Sequence, residues 1–255
     1  MPVEVLVGIV GLLGAFTAAL VGSGSGLVMV SFLLYLPPLL GLPSIDVKTA
    51  AALGPTQILF ATLLGTALHG RRGLVDKRLV LSAGTAMAAA AVFAAILSAA
   101  LPTRVLAVVF ALLATAAGLV MFLPPAHKSD SGSAGDFSRL LAVLIGGGAG
   151  TVVGLVGAGT FLLTPAFLQV LRTPTRVAIG STLGVSLLGG LAAVVGKLST
   201  GQVPYALAVA VLVGTVPGVF LGAWASHRLP PKVLRYLLAV LITIIALRAW
   251  WGLLR

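Results

Sequence analysis

Residues 140–171 read LLAVLIGGGAGTVVGLVGAGTFLLTPAFLQVL, 32 residues without a charge between Arg139 and Arg172. One crossing of the hydrocarbon takes about 20 apolar residues, within a range of roughly 17–25. The stretch is too long for one crossing and too short for two with a turn between them. Glycines bunch at Gly157-Ala158-Gly159, where the backbone is freest to reverse. The arrangement that fits is a helical hairpin reaching part way into the membrane, with its tip at those residues. Non-helical backbone cannot face lipid, so such a tip must be buried in protein or line a wet cavity.

The rest of the chain has the same character. Of its 255 residues, 59% are hydrophobic and 8% charged, and the mean hydropathy is +1.18, a balance that excludes an ordinary soluble protein. Further uncharged runs at 5–45, 49–70, 79–103, 105–127, 177–196 and 198–227 mark a polytopic, all-α membrane protein. The net charge of +11 comes from 16 Lys and Arg that lie between these runs. They read as solvated loops at an anionic membrane face, not as a nucleic-acid surface. The absence of cysteine excludes disulfides, thiolate metal sites and cysteine nucleophiles. The first twenty residues lack a basic leader and run straight into more apolar sequence, so no cleaved signal peptide is expected.

The polar stretch 124–138 lies near the midpoint and separates a first membrane repeat, 1–123, from a second, 139–255. Val21-Gly22-Ser23-Gly24-Ser25 aligns with Val156-Gly157-Ala158-Gly159-Thr160, Gly84-Thr85 with Gly214-Thr215, and Leu101-Pro102-Thr103-Arg104-Val105-Leu106 with Leu229-Pro230-Pro231-Lys232-Val233-Leu234. The register drifts slowly and the order is kept, as in a duplication with small loop deletions. Each half is expected to hold one glycine-broken hairpin and three full spans, near 48–69, 79–101 and 104–123, then 177–196, 204–226 and 233–252. The dense basic loop Arg71, Arg72, Lys77, Arg78 belongs in the cytoplasm. Counting from it puts the 124–138 linker inside, both termini outside, and eleven of the sixteen basic residues inside. A hairpin plus three spans is an odd number of crossings, so the repeat is expected to be inverted.

Inversion would bring the short helices after the breaks, about 26–36 and 159–171, together at the midplane. Helix N-termini carry partial positive charge and free N–H groups, and glycine lets a ligand approach the backbone. Gly22, Ser23, Gly24, Ser25 and Gly26, with Gly157, Ala158, Gly159 and Thr160, therefore form a candidate anion site. The competing account is that these small residues serve close helix packing. A polar stripe on the first full span of each half, Thr56 and Gln57, then Ser181, Thr182 and Ser186, would complete the site. Gln57 is open to two readings, a ligand contact or a helix-to-helix hydrogen bond. Gly22-Ser23-Gly24 with Asp46 is no dinucleotide fingerprint, because no strand precedes it and the final glycine is missing.

No Asp or Glu lies inside a span, which disfavours a carboxylate proton relay and leaves His69 as the protonation or gating candidate. Lys197 is expected to snorkel to the interface. No metal or other cofactor is expected. No hydrolytic motif lies at membrane depth, so the chain is not read as an enzyme.

With the breaks at Gly22 to Gly26 and Gly157 to Thr160, the motif Ala178-Ile179-Gly180-Ser181-Thr182-Leu183 and the loop His69-Gly70-Arg71-Arg72-Gly73-Leu74-Val75-Asp76, the chain resembles the sulfite exporter TauE/SafE family of anion permeases. The resemblance spans nearly the whole length. It implies transport of sulfite, a sulfonate or a related organic anion across the cytoplasmic (inner) membrane. Ser25 and Thr160 stand where the family often has glycine, and Ser181-Thr182 inverts its usual Thr-Ser order. Those departures bear on the substrate more than on the fold. Two other functions fit the same composition: an anion channel with the hairpins as filter, and a membrane scaffold that docks a soluble partner at Arg71 to Arg78.

Overall fold

The computed structural model describes residues 2–21, 25–69, 75–122, 137–226 and 231–254. These form helices α1 (Val3–Val21), α2 (Ser25–Leu39), α3 (Val47–His69), α4 (Lys77–Ala100), α5 (Thr103–Phe122) and α6 (Arg139–Val156), a 3-10 turn (Thr160–Leu162) running into α7 (Leu163–Gln169), then α8 (Thr175–Ser199), α9 (Tyr205–Ser226) and α10 (Pro231–Leu254). The six expected full spans correspond to α3, α4, α5, α8, α9 and α10 within a few residues at each end.

Helix ends are set by polar caps. Asp76 accepts from the backbone N–H groups of Arg78 and Leu79 to start α4, and Ser138 accepts from Leu141 to start α6. Asp46 does the same for α3 through Lys48 and Thr49. Each cap satisfies N–H groups that the first helical turn leaves unpaired. Gly157 closes α6 in the left-handed region, φ 72°, and donates its N–H to Val153 O, a conformation that a side chain would strain.

Large apolar side chains point outward all round: Leu81 and Phe93 on α4, Leu112 and Leu119 on α5, Leu144 on α6, Val213 and Trp224 on α9, and Leu247 on α10. In water such a surface would be untenable, whereas in lipid it is matched. By length and composition five helices among the described residues can cross a membrane, carried by α3, α4, α6, α8 and α9. The inclusion of α6 alters the expected hairpin, because its first arm alone is long enough to cross. Only the arm after the break is short.

The interior is built from small residues. Helix α1 packs along α9 and α4 along α6, while α3 lies against α8 and α9, α4 against α8, and α5 against α10. Along α3 and α8 the order is reversed: Gly65 faces Leu183 while Gly190 faces Ile58 and Leu59. Helices α5 and α10 also run oppositely, with Gly118 facing Ile242 and the Trp250 indole donating to Thr115 Oγ1 at 3.0 Å.

Candidate functional site

The second glycine break is held against α3 and the start of α2. A side-chain carbon on Gly26 would lie 2.5 Å from the Gly157 carbonyl oxygen and 3.0 Å from Ala158 Cα. One on Gly54 would collide with the same oxygen, and one on Gly157 would come within 2.6 Å of Ala51 O. Glycine at all three positions lets backbone touch backbone.

Pro55 explains why α3 receives the break there. Lacking an N–H, it leaves the carbonyl of residue 51, four back, without its helical partner. That carbonyl is the one that Gly157 approaches. Neither Gly54 nor Pro55 stands out in the sequence reading, although a proline inside an otherwise apolar span is the signal that marks the place.

The polar stripes of α3 and α8 are buried. Gln57, fully buried, donates from Nε2 to Gly11 O at 2.8 Å, and its Oε1 has no partner. The hydroxyls of Thr56 and Ser186 are likewise buried and unpartnered. Each such atom costs about 1–3 kcal/mol while it stays unpaired. The other stripe residues are already engaged. Ser181 Oγ accepts from Asp76 N at 3.0 Å, tying α8 to the start of α4, and Thr182 Oγ1 accepts from Thr164 Oγ1 at 3.1 Å.

The candidates thus divide. Gly26, Gly157 and Ala158 meet, with Thr56 and Gln57 in the same two turns of α3 that receive them. Gly159, φ 145°, and buried Thr160 follow the tip directly. Gly22, Ser23 and Gly24 lie outside the described residues, as do the side chains of Ser25, which opens α2, and His69, which ends α3. The helix expected over 159–171 is instead a 3-10 turn and the seven-residue α7. So few aligned peptides give little macrodipole, and the second half offers the Gly157–Gly159 backbone in place of a long helix N-terminus.

Lys197 departs from its expected place. It does not snorkel. Its side chain is fully buried, and Nζ donates to Ser98 Oγ at 2.6 Å and to Gln202 Oε1 at 3.1 Å. Gln202 in turn donates to Ala95 O and Thr200 Oγ1, and Lys48 Nζ donates to Ala99 O. The ammonium therefore sits at the carbonyl end of α4 and of its own helix, where helix dipoles favour positive charge. Sequence inspection misses this because Ser98 and Gln202 are remote from Lys197 or carried on a loop.

An apolar helical bundle with a lipid-compatible exterior and unpaired polar atoms inside defines a multi-pass membrane protein of the class that includes transporters. The chain belongs to the family of membrane transporters described as Sulfite exporter TauE/SafE, which it matches over residues 7–249. It is similar to "Probable membrane transporter protein YdhB" of Bacillus subtilis (strain 168), 26% identical over 220 residues, 84% of this chain and 85% of that protein. It is also similar to "Probable membrane transporter protein YjnA" of the same organism, 32% identical over 112 residues. That match covers 43% of this chain and 44% of the relative's length. No solved structure matches.

Proposed function

We propose that this transporter carries a small anion, sulfite, a sulfonate or a related organic anion, outward across the cytoplasmic membrane, and holds it where the two glycine breaks meet. The observation that carries the reading is the set of buried, unpartnered polar atoms of Thr56, Gln57 and Ser186. Hydroxyls can donate to an oxyanion.

Two features of packing support an inverted repeat. Exchanging the halves turns the α1 to α9 contact into the α6 to α4 contact and the α4 to α8 contact into the α9 to α3 contact. The equivalent pairs, α3 with α8 and α5 with α10, run in opposite directions. In this reading the 124–138 linker is cytoplasmic, both termini are outside, and one repeat rocks against the other around the bound anion. Export needs no coupled ion. A negative cytoplasm drives an anion outward by about 2.3 kcal/mol per charge per 100 mV.

The test is efflux of sulfite from proteoliposomes under an imposed potential. Saturable, voltage-accelerated efflux is expected in the wild type, with a loss of about tenfold or more in a Thr56→Val, Ser186→Ala double variant that retains the wild-type melting temperature. Flux indifferent to voltage would defeat electrogenic export. Wild-type flux in the double variant would remove these hydroxyls from the site.

A further inference from the structure

We infer that the transported anion carries a hydrogen-bond donor, a hydroxyl or an acid proton, which Gln57 Oε1 accepts; this rests on the anion-transport reading above and narrows its substrate class. The orientation of the Gln57 amide is dictated by its neighbour. Nε2 donates to Gly11 O at 2.8 Å, and turning the amide over would set two acceptor oxygens against each other. Oε1 is therefore the end of the amide left buried and without a partner. Both amide atoms lie beside Gly14 of α1, where a side-chain carbon would come within 2.7 Å of Nε2 and 3.1 Å of Oε1, and the helix of Gln57 holds the second break one turn earlier, at Gly54.

Two buried hydroxyls, one on α3 and one on α8, behave differently from others in the bundle. Ser31, Thr62 and Thr215 each turn back to bond the carbonyl four residues earlier, at 2.6, 2.7 and 2.8 Å. Thr56 and Ser186 make no such bond although they are equally buried. A hydroxyl can still donate to a bare oxyanion. An amide oxygen cannot, and it repels an oxygen that brings no hydrogen. The free acceptor thus discriminates among anions: those bearing O–H are favoured, and those presenting only lone pairs are disfavoured. A site that leaves a buried polar group unpaired with the wrong ligand rejects that ligand strongly.

The experiment compares three matched pairs as competitors of sulfite flux in proteoliposomes: 2-hydroxyethanesulfonate with ethanesulfonate, lactate with propionate, and bicarbonate with nitrate. In the wild type the donor-bearing member of at least one pair is expected to inhibit at a concentration tenfold lower or better. In Gln57→Met the two members should converge to within about twofold. Wild-type ratios near one, or competition by none of the six while sulfite is carried, would overturn the inference and leave the transport reading standing. So would a wild-type ratio that survives Gln57→Met. Should that variant fail to fold, the wild-type ratios decide alone. Absence of flux for sulfite and for all six anions would instead defeat the transport reading itself.

Discussion

The two long seams of the molecule, α4 on α6 and α1 on α9, each join the first half of the chain to the second, and exchanging the halves would turn one into the other, yet their three-glycine stripes sit on opposite partners. In the first seam Gly146, Gly150 and Gly154 belong to α6 and press against the carbonyls of Ala83, Met87 and Ala91. In the second, Gly214, Gly218 and Gly222 belong to α9 and press against Gly8, Leu12 and Phe16. The glycine stripe is thus carried by the helix before the break in one seam and by a full span in the other, both of them in the second half of the chain. What the joint requires is a small total of side-chain volume at each crossing, so that backbones touch and dispersion contacts accumulate. Which helix supplies the glycine is immaterial to the packing.

The equivalence of the seams can be broken most directly at their centres. Gly150→Leu and Gly218→Leu each force a side chain into the facing helix backbone, and each should cost about 3 kcal/mol or more, near the upper end for overpacking. Recovery of folded, monodisperse protein in detergent checks this. A seam that accepts leucine would not be a close-packed joint, and the comparison would fail there. A smaller effect is expected at the end of α4, where the first seam passes into the Lys197 network. Lys197→Met removes two hydrogen bonds from a charged donor and should cost about 2 kcal/mol, read as a lower melting temperature, whereas no change would mean that the network adds nothing to the joint. The smallest change belongs to Gly147 and Gly148, on the same helix as the first glycine stripe. A side-chain carbon at either meets nothing within 4 Å. Gly147→Ala and Gly148→Ala should leave the melting temperature unchanged or raise stability by up to about 1 kcal/mol, the helix-propensity difference. Losses there as large as at Gly150 would mean that the helix, not the stripe, is what the seam needs.

Much of the fold was legible along the chain because lipid imposes a local rule: every span must be long, apolar and internally hydrogen-bonded. The boundaries of α3, α4, α5 and α9 follow from that rule with only small shifts. The residues between Gly157 and Gln169 were less legible. Local sequence marks Gly157-Ala158-Gly159 as a break, but the 3-10 turn after it and the shortness of α7 accompany packing against α2, α6 and α8. The candidate site divides along the same line. Gln57 was conspicuous as an amide in a span, and of the two readings left open for it the helix-to-helix hydrogen bond is present, while the other end of the amide has no hydrogen-bond partner. Ser181 and Thr182 looked equivalent to Ser186 in sequence, yet their partners, Asp76 and Thr164, come from elsewhere in the fold.

By itself the sequence determined that this is an all-α, multi-pass membrane protein with a break at Gly157 to Gly159, because hydropathy, charge placement and glycine spacing act over one or two turns. Only the tertiary structure decided that the second break nests against the proline-freed carbonyl of α3, that Lys197 is enclosed at the end of α4, and that Thr56, Gln57 and Ser186 keep a polar atom unpaired. Those outcomes depend on which backbone or side chain arrives from a distant helix. Hydrogen-bond satisfaction is a property of pairs, and the pairs exist only once the helices have packed.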